Sequence, residues 1–181
     1  MEKSAIRTMI RSQGPMDPMV GSRVAEGLFV WLSGRLPGTV ASFLAMPGEV
    51  DTSQLFRRLP GWRWVLPRVE SSTSVSFRDR DVSRETHRFG MEQPVDEGPI
   101  IQVHEIDIFL APGLAFDRSG GRIGNGRGFY DRILTSKRSD AQVVGITVEK
   151  RVLDSIPMGD HDRFVGWLAT ELGVNACSPR M

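Results

Sequence analysis

Residues 122–134 read RIGNGRGFYDRIL, with three glycines on alternate positions, Gly124, Gly126 and Gly128. They are interleaved with Ile123, Asn125 and Arg127 and closed by Phe129, Tyr130, Asp131 and Arg132. Glycine has no Cβ and reaches positive φ readily, so successive backbone N–H groups can turn inward on one cluster of charged oxygens. With Arg122 and Arg127 beside them, these residues form an anion cradle, and phosphate is the expected guest. Residues 130–134 have helical character, so the cradle should deliver its ligand to a helix N-terminus, where unpaired N–H groups and the dipole favour negative charge. A dinucleotide fingerprint is excluded, because the third glycine of G-x-G-x-x-G falls on Phe129. A Walker loop is excluded too: Gly121 and Gly126 have the spacing, but Arg127-Gly128 replaces the lysine and hydroxyl. The stretch is then either another kind of phosphate loop or a plain surface turn.

A second constellation lies near the start of the chain. Over residues 2–11, Ile6, Met9 and Ile10 fall on one helical side, and Lys3, Arg7 and Arg11 recur at i, i+4, i+8 on another. Like charges at that spacing oppose one another by about 0.2–0.5 kcal/mol per pair. The stripe is therefore either a solvated face or a surface that an anion or acidic partner offsets.

The chain must supply a scaffold for these groups. At 181 residues, 40% hydrophobic and 25% charged, it suits one globular domain spanning residues 1–181. Net charge is +1, which gives no global field for nucleic acid or an anionic membrane, so anion binding must come from local clustering. The single cysteine, Cys177, excludes an internal disulfide framework and a cysteine-rich metal site. Absence of a secretory signal pattern or a membrane-length apolar run predicts a soluble, cytoplasmic protein, expected to be a monomer.

Hydrophobic patterning predicts helices over 2–11, over 22–36 with Ser22 as cap, and over about 52–59, near Tyr130, and over 160–172. The last of these is expected to bury Phe164, Val165, Trp167 and Leu168. Predicted strands cover 40–46, 62–66 with Pro67 as the stop, 73–80, 106–112 and 143–148, with a charged loop over 79–88. Strands alternating with helices predict an α/β fold: a three-layer α/β/α, Rossmann-like arrangement around an open, mostly parallel mixed sheet. Ligands should gather at the carboxyl ends of the strands, where Glu49 and the glycine loop both fall.

Taken in order, these segments resemble the 5-formyltetrahydrofolate cyclo-ligase (methenyltetrahydrofolate synthetase) family. The resemblance rests on Lys3 and Arg7, FLAMPGEVDT from Phe43, VLP at 65–67 and GMEQP from Gly90. It continues through APGLAFD, RIGNGRGFYDR, IPMGDHD and ATELGV. It implies an ATP- and Mg2+-dependent enzyme that closes 5-formyltetrahydrofolate to 5,10-methenyltetrahydrofolate through a phosphorylated formyl oxygen, an iminophosphate, with release of ADP and phosphate. Polyglutamylated folate is a possible form of the substrate. The architecture implied is that of the CoA-transferase-like α/β folds.

Position by position, the resemblance implies that Lys3, Arg7 and residues 122–130, with Arg132, hold the ATP phosphates, whereas Arg11 has no match. It implies that Asp131 and Asp162 ligate magnesium, although Asp162 suits a helix cap equally well. It also implies that Glu49 grips the aminopyrimidinone edge of the folate, with Leu44, Met46, Phe89 and Tyr130 as walls. Phe89 fits plain core packing as well. The chain departs from the family pattern at Phe43, Gln93, Asn125, Arg127, Phe129 and Val165-Gly166. Phe43 removes a hydroxyl and Gln93 a charge on the substrate side, which keeps a non-catalytic folate- or nucleotide-binding protein as the alternative.

Overall fold

The computed structural model describes residues 2–88 and 90–178. Helix α1 (Lys3–Arg11) and helix α2 (Pro18–Ser33) precede strand β1 (Thr39–Ala41), and helix α3 (Gln54–Arg58) leads to β2 (Arg63–Val69) and β3 (Val75–Asp79). A hairpin comes next, β4 (Arg84–Thr86) with β5 (Glu92–Pro94). It leads to β6 (Ile108–Pro112), β7 (Ala115–Asp117), β8 (Arg122–Ile123) and helix α4 (Phe129–Thr135). The chain ends with β9 (Gln142–Ile146), β10 (Val152–Leu153), β11 (Trp167–Thr170) and β12 (Gly173–Ala176).

Seven strands form the main sheet in the order β12-β11-β9-β6-β1-β2-β3. The five central strands are parallel, and β12 and β3 pair antiparallel at the two edges. Alternation along β6 divides the core: Ile108 and Leu110 face α2 and α3, whereas Phe109 and Ala111 face Ile133 and Leu134 of α4. Helices therefore cover both faces, and the buried central strands read as continuous apolar runs for that reason. From β1 the chain proceeds to β2 on one side, and from β6 to β9 on the other. The gap beyond the carboxyl ends of β1 and β6 is the topological switch point, where an open α/β sheet leaves a crevice.

Asp17, not Ser22, caps α2: its Oδ1 accepts the Met19 N–H at 2.8 Å, and Pro18 occupies the first turn. Proline's fixed φ and missing N–H suit that position, so the Asp-Pro pair wins over a serine that sits inside the helix and donates to the Pro18 carbonyl at 3.0 Å. No helix occupies 160–172. Val165 and Leu168 mimic a helical period, but Trp167–Thr170 extends the sheet beside β9 and turns back as β12, and Phe164 is exposed. Sheet completion overrides the local period there, and the suggested capping role of Asp162 goes with it.

Strand β2 passes through Pro67 instead of stopping. Its pairing with β1 ends at Val65, so the missing proline N–H breaks no ladder on that side. The segment read as a loop over 79–88 contains β4. Strand β1 is shorter than the apolar run 40–46, because the chain leaves the sheet after Ser42 donates to the Val65 carbonyl at 2.9 Å. Beyond Ser42 the run becomes a cavity wall.

Candidate active site

Segment 43–51 is held at its base by a buried hydroxyl pair, Ser42 Oγ and Thr52 Oγ1 at 3.0 Å. Its turn is closed twice, by the Glu49 N–H on the Met46 carbonyl at 2.9 Å and by the Met46 N–H on Glu49 Oε2 at 3.0 Å. Phe43, Leu44, Met46 and Glu49 thereby line one side of a cavity of about 490 Å³, a size typical of small-molecule sites. Burial pushes the Glu49 carboxyl above its ordinary value, and the Met46 N–H and nearby Arg151 pull it partly back. Burial and the neighbouring Glu49 push the Tyr130 hydroxyl up, so it remains a hydrogen-bond donor at neutral pH.

The opposite side is cationic. Ile6 and Ile10 dock α1 on Ala115, Ile123 and Ile156, and this turns the stripe Lys3, Arg7, Arg11 toward the glycine loop. Lys3 pairs with Asp162, Arg7 Nε donates to the Gly124 carbonyl at 3.0 Å, and Arg11 donates to Asn125 Oδ1 at 3.3 Å. The stripe thus lies along the loop, with Lys3 and Arg7 half-buried and Arg11 exposed. Gly126 and Gly128 have φ of +97° and +66°, which L side chains rarely adopt, so the loop backbone depends on them. Helix α4 is only seven residues long, and the positive charge facing the cavity comes from side chains.

Arg122 enters from β8, nearly buried. One Nη reaches Asp131 Oδ1 at 3.0 Å, the guanidinium lies 5.4 Å from the Tyr130 ring centroid, and Nε has no partner among the described residues. Asp131 Oδ1 also accepts the Arg163 N–H at 3.1 Å, which brings α4 against the segment carrying Asp162. Burial opposes the Asp162 carboxylate, but the Gly159 N–H and Lys3 outweigh it and hold it below the ordinary carboxylate value. Both carboxylates are engaged by the cations that face the cavity. Among the described residues no cluster of three or more His, Cys, Asp or Glu suits a metal. An ion here would take two protein carboxylates and complete its shell with phosphate and water oxygens, the usual habit of magnesium.

The cavity brings together Lys3, Arg7, Arg122, Ile123, Gly124, Asn125, Gly126, Arg127, Gly128, Phe129, Tyr130, Asp131 and Asp162 with Leu44, Met46 and Glu49. Arg132 stands apart: its guanidinium turns outward to the carbonyls of Thr73 and Arg127, each at 2.8 Å. The Ile123 side chain is core, and only its backbone can serve a ligand. Phe89 lies outside the described residues. Gln93 does not reach the cavity; it is buried, accepts the Val69 N–H at 3.1 Å and donates to Glu85 at 3.0 Å, joining the hairpin to β2. Its neighbours Met91 and Glu92 line the cavity instead, with Val69 and Val75. Sequence reasoning missed Val69, Val75 and Met91 as apolar walls because nothing in their spacing separates them from ordinary strand residues.

Among the described residues no helix is long and apolar enough to cross a membrane. The sequence model of the 5-formyltetrahydrofolate cyclo-ligase family matches residues 22–171. A 5-formyltetrahydrofolate cyclo-ligase of Mycolicibacterium smegmatis is 32% identical over 173 residues, covering 88% of this chain and 89% of that protein. The solved 5,10-methenyltetrahydrofolate synthetase of Aquifex aeolicus superposes with a TM-score of 0.83 at 28% identity, over 100% of this chain and 95% of the other. The Mycoplasma pneumoniae structure of the same name shares the fold with a TM-score of 0.78 at 20% identity, over 94% and 99%. The mixed α/β fold, the crevice at its switch point and these matches together show that the chain belongs to the 5-formyltetrahydrofolate cyclo-ligase family of enzymes.

Proposed function

We propose that the chain uses ATP and magnesium to convert 5-formyltetrahydrofolate to 5,10-methenyltetrahydrofolate, with release of ADP and phosphate. The observation that carries this reading is one cavity lined by two chemically different sets of residues. Lys3, Arg7 and Arg122 line it together with Glu49, Leu44 and Met46. A formamide oxygen is a very poor leaving group, so ring closure needs it converted to a better one. The formyl oxygen attacks the γ-phosphorus of ATP, ADP departs, and an iminophosphate results. The second folate nitrogen then adds to the formyl carbon, the C–O bond breaks, phosphate leaves and the nitrogen's proton is lost to solvent.

Phosphoryl transfer of this kind depends on alignment and charge neutralisation more than on covalent help. Glu49 would accept paired N–H donors from the aminopyrimidinone edge, and Leu44 and Met46 would press on the ring. The loop N–H groups with Lys3, Arg7 and Arg122 would hold the phosphates, and the unpartnered Arg122 Nε is a spare donor for that task. Asp131 and Asp162 would hold magnesium, which supplies further neutralisation of phosphate charge. Arrival of phosphate would draw Lys3 and Arg122 away from these carboxylates and free them for the ion.

The test is direct. Purified protein with ATP, magnesium and 5-formyltetrahydrofolate should develop the near-ultraviolet absorbance of the methenyl product while ADP accumulates in equal amount. Absence of both at saturating ATP would contradict the reading.

A further inference from the structure

Behind the Glu49 wall lies a buried cation that the chemistry above does not use. Arg151 closes the short 3-10 turn Glu149–Arg151 after β9, and only 6% of its surface is exposed. Its Nη1 donates to the Gly48 carbonyl at 2.6 Å, whereas Nε has no partner among the described residues. No carboxylate of the described residues lies within ion-pair distance of it. A guanidinium does not deprotonate inside a protein, so burying one requires a compensating charge nearby. Glu49, the residue after Gly48, is the carboxylate that favours the charged form of Arg151, and Arg151 favours the ionised form of Glu49 in return.

The backbone between them leaves little freedom. Gly48 has a φ of +88°, and a Cβ there would lie 3.9 Å from Arg151 Nη2, so the guanidinium packs against a turn only glycine adopts easily. Segment 43–51 is thus pinned at its base by Ser42 with Thr52 and at its tip by Arg151. Met46 and Glu49 project from the turn so fixed.

We propose that Arg151 is a positioning residue for the folate: from outside the cavity it fixes the Gly48 turn and keeps Glu49 as an aimed carboxylate. This rests on the reading of Glu49 as the group that grips the aminopyrimidinone edge. A carboxylate held before substrate arrives loses less freedom on binding, and affinity follows from that preorganisation.

The experiment compares Arg151→Met, Arg151→Lys, Glu49→Gln and the double variant Glu49→Gln/Arg151→Met by steady-state kinetics, reading kcat, the folate KM and the ATP KM. Arg151→Met should raise the folate KM about tenfold or more, the scale of a lost hydrogen bond to a charged group, with the ATP KM within about twofold. Arg151→Lys should recover most of that loss. In the Glu49→Gln background, Arg151→Met should add less than about twofold, because two residues acting through one contact are not additive. Equal rises in both KM values, or full additivity, would overturn the proposal by showing a merely structural role. A raised folate KM in Glu49→Gln with none in Arg151→Met would overturn it while leaving the reading of Glu49 intact. An unchanged folate KM in Glu49→Gln would overturn both. Where Arg151→Met does not fold, Arg151→Gln keeps a donor for Gly48 without the charge, and the same outcomes decide.

Discussion

Arg122 reaches Asp131 at 3.0 Å from a nearly buried position, so a cation and a carboxylate that both line the cavity neutralise each other. Lys3 and Asp162 repeat the arrangement from α1. Each pair solves the same problem, which is to keep strong charges compensated in a partly desolvated pocket.

Removing either cation should therefore weaken the use of ATP more than that of folate. Arg122→Ala and Lys3→Ala are each expected to lose about 1.5–3 kcal/mol of nucleotide interaction, the range for hydrogen bonds to charged groups. Steady-state titration of ATP at saturating folate measures this. An unchanged ATP KM in both variants would contradict the phosphate assignment.

Asp131→Asn removes one of the two charges proposed to hold magnesium and leaves a side chain of nearly the same shape. Its activity should demand a higher magnesium concentration than the parent at equal ATP, with the folate KM little changed. A magnesium titration of turnover checks this, and an identical titration curve would remove Asp131 from the metal site.

Glu49 predicts a pH effect with a definite sign. Its carboxyl sits above the ordinary value of about 4.3, chiefly through burial, so its proton is lost at a higher pH in the folded chain than in the unfolded one. The stability it contributes is present below the unfolded value and is lost as pH rises through the folded value. Glu49→Gln removes this titration but leaves the buried Arg151 without its compensating carboxylate, so the effect to read is on the folate KM, which should rise. In the parent, kcat/KM for folate should fall as pH is lowered through a range above the ordinary carboxylate value, and Glu49→Gln should lack that limb. A Glu49→Gln variant with an unaltered pH profile would contradict this account.

Asp117 gives the opposite case. It is fully buried; burial alone would raise its carboxyl, but it accepts Ser119 Oγ–H, the Ile156 N–H at 2.6 Å and the N–H groups of Gly121 and Ser119 at 2.9 Å, and so lies below the ordinary value. Its contribution is present above the unfolded value of about 3.9 and is lost as pH falls through the folded value. Asp117→Ala would strand four donors around the turn that leads into Arg122, at roughly 3–5 kcal/mol by analogy with breaking a buried charged network. Denaturant unfolding at neutral pH measures the loss, and a change under about 1 kcal/mol, the size of an ordinary substitution, would contradict it.

Much of this site was legible in the chain because its signals are periodic or tightly spaced. Lys3, Arg7 and Arg11 recur at one helical interval and arrive on one face; Gly126 and Gly128 take the positive φ with which the backbone turns there. What stayed hidden depends on tertiary pairing. Residues 167–170 carry a helix-like spacing yet become β11, since an open sheet edge beside β9 offers more ladder partners than an isolated helix would. Gln93 falls in the motif nearest the substrate side but points into the hairpin, and Met91 and Glu92 take the cavity. Arg151 has no spacing signal, because it meets Gly48 across 103 residues through the order of the parallel strands.

The central claim, that ATP activates the formyl oxygen in this cavity, is tested most directly by following that oxygen. Substrate carrying heavy oxygen in its formyl group, turned over once with ATP and magnesium, should release inorganic phosphate that contains the label. Unlabelled phosphate, with the heavy oxygen recovered in water or retained in the folate, would contradict the account.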